Sequence, residues 1–292
     1  MNPILFIAGK LNPKYYYRVA QLRYRFPWFG RVLTWLGNSI RNRDATIQQG
    51  LAAGLRFNAG NSIAGYVLGT QEPQVQSVCS LLIVPGMTVY DLGANVGFLS
   101  VIFAKLTGAK GHVVSFEPLP SNARQIAYNV ALNEFSNVKI RQEAAGRIDG
   151  TVVFRSSAFP TTGKLEEVQK VQHGETSGSA VDVSMRSLDS IVAEGESTPD
   201  FIKMDIEGGE VECLLGASRL LAQQRPLLLI EVHATNQQVH DILTAANYRV
   251  AVIGSPLSLP ENHWNVQIIA CPAERPLTAE QLASVTDPKL LA

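Results

Sequence analysis

The chain has 292 residues, of which 46% are hydrophobic and 17% charged, and its 25 basic residues balance 25 acidic ones. This composition is typical of a globular protein rather than of a disordered segment or a membrane bundle, and a neutral chain lacks the positive field that attracts nucleic acid. Three widely separated cysteines without close Cys or His partners disfavour a zinc site or a disulfide framework. The apolar run at residues 4–8 is too short to span a bilayer and follows no basic segment, so we expect a cytoplasmic protein.

The first 68 residues are predicted to form an extension that precedes the main domain. Basic and aromatic side chains are interleaved from Lys10 to Arg43. We expect a helical segment whose aromatic residues pack on the main domain, and the alternative is peripheral contact with a membrane surface. The glycine-rich stretch from Gly50 to Glu72 predicts turns and short strands that lead into a helix at Pro73–Leu82.

Short apolar runs alternate with longer helical segments over residues 69–274, and residues 275–292 are expected to form a C-terminal tail. This alternation predicts an α/β fold, a doubly wound and mostly parallel sheet with helices on both faces. The predicted strands are Thr88–Leu92, His112–Phe116, Val138–Gln142, Phe201–Asp205, Leu227–Val232, Arg249–Ile253 and Asn265–Ala270.

Two further segments have distinct patterns. A single helix is predicted from Gly209 to Ala222, because its apolar residues recur at helical spacing. The stretch from Gly146 to Val183 interrupts the alternation, with strands predicted at Thr151–Phe154 and Val181–Met185 around a polar loop. An insertion of this kind often forms a lid or an acceptor pocket.

A glycine turn follows the first predicted strand. Gly93 permits a tight turn there, and Gly97 leaves room for a ligand or for a close helix–strand contact. Glu117 ends the next strand, where a carboxylate accepts hydrogen bonds from the ribose hydroxyls of an adenosine. Asp91 would repel the pyrophosphate of a dinucleotide but would attract the ammonium group of a methionine moiety, directly or through water. We therefore predict an S-adenosylmethionine site, the alternative being an ordinary strand-to-helix turn without a ligand.

Charged side chains lie near the ends of the predicted strands Phe201–Asp205 and Leu227–Val232. Carboxyl ends of neighbouring parallel strands converge on one crevice, so these side chains are expected to face the transferable methyl group. They are Lys203, Asp205, Glu207, Glu231 and His233. Strand alternation places Glu231 and His233 on the same side. The alternatives are that Asp205 caps the following helix, that Glu210 favours its N-terminus, and that His233 is a satisfied polar residue at a strand end.

These motifs resemble the FkbM family of S-adenosylmethionine-dependent methyltransferases. The similar segments are residues 69–72, 91–97, 116–118, 188–189, 202–208, Glu231 and 263–266. The resemblance implies a class I methyltransferase fold with seven strands, one of them antiparallel, and O-methylation of sugars or secondary metabolites. The predicted cofactor-binding residues are Glu72, Asp91, Gly93, Ala94, Asn95, Gly97, Glu117, Pro118, Glu143 and Asp205, and the predicted catalytic residues are Lys203, Asp205, Glu207, Glu231 and His233.

The acceptor is expected to be a small molecule or a glycan rather than a nucleic acid, because the chain is neutral and lacks an Asn/Asp-Pro-Pro-Tyr motif. A non-catalytic module that binds an adenosine ligand is the alternative from another class. Two mechanisms stay open at this point. His233 could act as the base, or Asp205, Glu231 and His233 could hold a divalent metal. We favour the base, because a divalent ion would add to the nearby charge of Lys203.

Overall fold

The computed structural model describes residues 42–63, 65–156, 163–165, 180–262 and 265–287. The segment before residue 42 and most of the loop at 161–179 lie outside the described residues. The strands are β1 Ala45–Thr46, β2 Arg56–Phe57, β3 Thr88–Leu92, β4 His112–Phe116, β5 Val138–Arg141, β6 Ala144–Ala145, β7 Gly150–Ser156, β8 Gly163–Leu165, β9 Ala180–Arg186, β10 Phe201–Met204, β11 Leu227–His233, β12 Tyr248–Val252 and β13 Asn265–Pro272. The helices are α1 Gly65–Leu68, α2 Pro73–Leu82, α3 Phe98–Thr107, α4 Pro120–Leu132, α5 Leu188–Ala193, α6 Glu210–Leu215, α7 Ser218–Gln223, α8 Asn236–Ala245 and α9 Ala279–Thr286, with a 3₁₀ turn at Leu259–Glu261.

A seven-stranded sheet forms the centre of the molecule, in the order β12-β13-β11-β10-β3-β4-β5. Strand β13 runs antiparallel to both of its neighbours, whereas the pairings among β11, β10, β3, β4 and β5 are parallel. The predicted fold class, the seven predicted strands and the single antiparallel strand are confirmed. Strand β10 ends at Met204, one residue earlier than predicted, although the Asp205 N–H still donates to the Leu92 carbonyl of β3.

The sheet is buried on both faces. On one face, Val89 and Phe201 pack with apolar residues of α2 and α3, and on the other, Tyr90 and Ile202 pack with those of α5 to α8. Phe57, before the sheet begins, joins the first cluster and contacts the rings of Tyr66 and Phe98 edge-on, while those two rings are tilted against each other. Residues 45–63 and 65–68 therefore pack as part of the main domain.

The helix predicted from Gly209 to Ala222 is instead two helices, α6 and α7. A Cβ at Gly216 would lie 2.1 Å from the Gly146 carbonyl oxygen, so this glycine allows a close approach between two backbones. Asp189 stabilises the start of α7, because its carboxylate accepts hydrogen bonds from the N–H groups of Arg219 and Leu220 at 2.8 Å. The apolar periodicity continues across this break, which explains why it predicts one helix.

The insertion between β5 and α5 contributes to a second sheet, ordered β6-β9-β7-β8. Both strands predicted there are confirmed as the central parts of β7 and β9, which pair antiparallel. Over the described ranges, no helix combines the length and hydropathy that crossing a bilayer requires.

The order of the strands reverses between β3 and β10. The chain continues from β3 to β4 and β5 on one side and places β10 and β11 on the other, so a crevice forms at the carboxyl ends of β3 and β10. Gly93, just after β3, has φ +76°, and a Cβ there would lie 1.9 Å from the Asp205 carbonyl oxygen. Glycine is therefore required for the two strand ends to approach.

Replacing Gly93 by alanine is expected to destabilise the protein more than replacing Gly86, which has φ +94° but open space around it. Both substitutions incur the cost of a positive φ, about 1–2 kcal/mol, and only Gly93→Ala adds a backbone clash. We expect Gly93→Ala to lower the free energy of unfolding by at least ~2 kcal/mol more, measured by denaturant titration. Equal losses of unfolding free energy in the two variants would contradict the close approach of Gly93 to the Asp205 backbone.

Candidate active site

Lys203 lies at the centre of the crevice. Its side chain is buried, with the ammonium 3.7 Å from Asp91 Oδ1 and 3.7 Å from Asp205 Oδ2. The ammonium also donates to the Gly93 carbonyl oxygen at 3.3 Å. Burial lowers the pKa of Lys203, but the charges of Asp205 and Asp91 outweigh burial and raise it above its ordinary value. Because these contacts tie Lys203 to both strand ends, we interpret it as a positioning residue rather than a group that touches the acceptor.

Asp91 is fully buried behind the glycine turn. Its Oδ2 accepts from the Ser100 hydroxyl at 2.6 Å, and Ser100 in turn accepts from Ser115 at 2.9 Å. Burial raises the pKa of Asp91, while Lys203 and the Ser100 hydrogen bond oppose that effect. This placement favours an indirect role for Asp91, exerted through Lys203 and the turn. The two serines are not predicted from the sequence, because isolated serines on a helix and a strand carry no functional pattern.

The glycine turn is hydrogen-bonded to the carboxylate of Glu117. Asn95 has φ +51°, and its N–H donates to Glu117 Oε2 at 2.9 Å, while the Leu119 N–H donates to Oε1 at 3.0 Å. Asn122 reaches the same Oε1 at 3.4 Å. Burial raises the pKa of Glu117 to about 7, against the opposing effect of these hydrogen bonds. Glu117 is thus a buried carboxylate at the crevice, between the turn and the start of α4.

The other predicted turn residues have structural explanations of their own. Ala94 is buried, and its N–H donates to the Phe116 carbonyl oxygen at 3.0 Å. At Gly97, with φ +85°, a Cβ would lie 3.1 Å from the Ile126 side chain, so the room left by this glycine accommodates α4. Pro118 separates Glu117 from α4 and is partly exposed.

Glu72 and Glu143 have different surroundings. Glu72 directly precedes α2 with φ +51°, and burial raises its pKa to about 7, with Lys203 opposing this and Asp205 adding to it. Glu72 therefore lies within electrostatic reach of the crevice. Glu143 instead pairs with Arg141 at 2.6 Å and with Arg186 at 3.9 Å, in an ion-pair network between β5 and β9. The cofactor role of Glu143 stays a prediction that these contacts do not favour.

Carboxylates surround His233 at the end of β11. The distances from Nε2 are 3.6 Å to Glu207, 3.6 Å to Glu231 and 4.0 Å to Asp205. Glu207 has φ +53°, and sparsely populated backbone conformations of this kind cluster at functional sites. The structure thus brings together four of the five predicted catalytic residues, Asp205, Glu207, Glu231 and His233, with Lys203 adjacent to Asp205.

Glu210 contacts the second imidazole nitrogen of His233, Nδ1. Its Oε1 lies 2.9 Å from His233 Nδ1 and accepts from the Gly208 N–H at 2.9 Å. Burial lowers the pKa of His233, but the hydrogen bond and charge of Glu210, followed by the charge of Asp205, raise it to about 9. The sequence suggests only that Glu210 favours a helix N-terminus, which it does as the first residue of α6. Because α6 starts at the crevice, the position of Glu210 in its first turn is the sequence feature that indicates a contact with His233.

A family model described as the methyltransferase FkbM domain matches residues 91–250, more than half of the chain. The chain therefore belongs to the FkbM methyltransferase family, as the resemblance predicts, and the family implies S-adenosylmethionine as the cofactor. The matched region includes the glycine turn, Lys203 and the His233 cluster.

Several known proteins are similar to parts of the chain. It is 25% identical over 147 residues to the hexuronic acid methyltransferase AglP of Haloferax volcanii, covering 50% of this chain and 56% of that protein. It is 23% identical over 281 residues to the AMB antimetabolite synthetase AmbE of Pseudomonas aeruginosa, covering 80% of this chain and 13% of that protein. The crystal structure of a methyltransferase FkbM from Methylobacillus flagellatus superposes with a TM-score of 0.44 at 23% identity, over 63% of this chain and 43% of that one. The chain thus spans little more than half of AglP and a small part of AmbE.

If Glu117 binds the ribose, affinity for S-adenosylhomocysteine depends on its ionisation. Because the pKa of Glu117 is about 7 and hydroxyls donate to the carboxylate form, we expect affinity to increase from pH 6 to pH 8. Glu117→Ala is expected to weaken binding by roughly 10- to 100-fold and to flatten this dependence. Calorimetry checks both, with the exposed Glu280→Ala as control. Unchanged affinity in Glu117→Ala would remove this residue from the cofactor site.

Proposed function

We propose that this FkbM-family methyltransferase transfers the methyl group of S-adenosylmethionine to a hydroxyl oxygen of a sugar, a glycolipid or a secondary metabolite. The observation that carries the proposal is the Glu210–His233 pair, whose free imidazole nitrogen faces the carboxylates at the ends of β10 and β11. A non-catalytic binding module has no use for an oriented imidazole at this place. The alignment with a hexuronic acid methyltransferase supports a sugar as the acceptor class.

Methyl transfer is an in-line displacement at carbon. The bond between sulfur and the methyl carbon breaks with its electron pair moving to sulfur, while an electron pair of the acceptor oxygen forms the new bond. The chain must hold that oxygen about 3 Å from the methyl carbon and accept the hydroxyl proton. His233 Nε2 accepts the proton, and Glu210 fixes the ring orientation through Nδ1. Asp205, Glu207 and Glu231 stabilise the imidazolium that results.

The carboxylates around His233 determine when the base is available. The hydrogen bond and charge of Glu210, followed by the charges of Asp205 and Glu207, raise the pKa of His233 to about 9, so the imidazole is protonated at neutral pH. A sulfonium bound in the crevice would place a positive charge near His233, and a nearby like charge lowers the pKa of an imidazolium. Cofactor binding therefore favours the neutral imidazole that the reaction requires.

A metal-assisted mechanism is the second candidate, and one observation favours it. Asp205, Glu231 and His233 each offer a ligand atom, all within 4.8 Å of one another, and Glu210 would orient the histidine as outer-shell carboxylates do. A divalent ion there would lower the pKa of the acceptor hydroxyl. We retain the histidine base because the ammonium of Lys203 lies 3.7 Å from Asp205 Oδ2 and would repel the ion.

Chelation separates the two mechanisms. With a hydroxylated acceptor that supports turnover, we expect EDTA to leave the rate unchanged and His233→Ala to reduce kcat by roughly 100-fold or more with affinity for S-adenosylhomocysteine kept. Loss of turnover on chelation, restored by Mg²⁺ or Mn²⁺, would establish the metal mechanism instead. Near-normal turnover in both His233→Ala and Asp205→Ala would show that the reaction occurs elsewhere.

The role of Glu210 is tested through the pH profile. Glu210→Gln removes a buried charge next to Nδ1 while keeping a hydrogen-bonding group of the same shape. Because Glu210 raises the pKa of His233, we expect the acid limb of kcat/KM to move to lower pH, toward the ordinary histidine value near 6.5. If Glu210 had only a structural role, the variant would lose activity without a shift of the acid limb. An unshifted acid limb would show that Glu210 does not raise the pKa of the catalytic base.

A further inference from the structure

A cleft of about 300 Å³ adjoins the His233 cluster, on the side of β11 away from the glycine turn. Glu231 belongs to both, because it lies 3.6 Å from His233 and also lines the cleft. Ile253 contributes an apolar side chain to the cleft, whereas the side chains of Val252 and Val266 pack in the cluster on the opposite face of the sheet. Its volume is at the lower end of the range for small-molecule sites.

Strand pairing aligns the wall of the cleft with the proposed base. In the antiparallel pair of β11 and β13, Gln267 is opposite Glu231 and Asn265 is opposite His233. Residues directly opposite each other present their side chains on the same face of a sheet. Gln267 uses this position to donate to Glu231 Oε2 at 3.1 Å. A molecule in the cleft would therefore lie beside Glu231, whose Oε1 is 3.6 Å from His233 Nε2.

The polar groups of the cleft are neutral apart from Glu231. Side-chain amides come from Gln74 of α2 and from Asn262, Asn265 and Gln267, and none of the described lining residues is a lysine or an arginine. Within the described chain, the side chains of Gln74 and Asn265 make no hydrogen bond, so their amide donors and acceptors are available to a ligand. An anionic ligand would meet the carboxylate of Glu231 without a compensating cation.

We propose that this cleft is the acceptor subsite and that it binds a neutral, polyhydroxylated ring such as a pyranoside. The ring hydroxyls bond to the amides of Gln74 and Asn265, its C–H face packs on Ile253, and one hydroxyl extends past Glu231 toward His233. The proposal rests on the proposed function and specifies its acceptor. It disfavours sugar acids and sugar phosphates, so the acceptor is expected to differ from the hexuronic acid of AglP while sharing its sugar ring.

Saturation-transfer difference NMR tests the proposal with saturating S-adenosylhomocysteine present. The probes are neutral methyl pyranosides of the gluco, manno, galacto and rhamno series, together with the methyl glycosides of glucuronate, mannuronate and galacturonate, which carry a free carboxylate. We expect transfer to at least one neutral glycoside and weaker transfer to the uronates. The Gln74→Ala/Asn265→Ala double variant is expected to lose this signal several-fold, and Gln223→Ala, an exposed glutamine at the end of α7 before the start of β11, is expected to keep it.

Three results would overturn the proposal. The first is a glycoside signal in the double variant equal to that of the unmodified protein. The second is stronger binding of the uronates than of the neutral glycosides, and the third is absence of any neutral glycoside signal while S-adenosylhomocysteine binds normally. Cofactor affinity is measured in the same samples by calorimetry, so a general folding defect would appear there. Failure of the unmodified protein to bind S-adenosylhomocysteine would instead contradict the proposed function, and the acceptor subsite with it.

Discussion

The geometry of the crevice depends on the buried ammonium of Lys203. It pairs with Asp91 behind the glycine turn and with Asp205 at the end of β10, and it also donates to the Gly93 carbonyl oxygen. A buried charge costs several kcal/mol unless it is paired, so the two strand ends are held together around this cation. The absence of a side chain at Gly93 then permits contact with the Asp205 backbone. The cofactor turn and the acidic cluster consequently face one crevice.

Charge is distributed unevenly around that crevice. Two basic side chains, Lys203 and His233, are surrounded by the carboxylates of Glu72, Asp91, Asp205, Glu207, Glu210 and Glu231. A site of this kind complements the sulfonium of S-adenosylmethionine better than the neutral thioether of S-adenosylhomocysteine. In the proposed reaction, methyl transfer removes the positive charge from the cofactor, so the same carboxylates that favour binding of the substrate also favour release of the product.

The sequence predicts the elements whose cause is local and misses those whose cause is tertiary. All seven strands follow from apolar runs bounded by turn residues, and α2 has the predicted bounds. The break at Gly216 is missed, because it depends on the Gly146 carbonyl, seventy residues away. In the site, strand ends and topology predict the grouping around His233. They do not predict that Glu210 orients its ring, because a glutamate in the first turn of a helix already has a local explanation.

The most direct test of this account is a double-mutant cycle between Asp91 and Lys203. Removing one partner of a buried pair leaves an uncompensated charge, so Asp91→Asn and Lys203→Met are each expected to lower the free energy of unfolding by about 3–5 kcal/mol. The double variant, measured by denaturant titration, is predicted to be more stable than the sum of the single losses implies, by about 1 kcal/mol or more, and still to bind S-adenosylhomocysteine poorly. Additive losses with cofactor binding intact would contradict the claim that Lys203 holds the two halves of the site together.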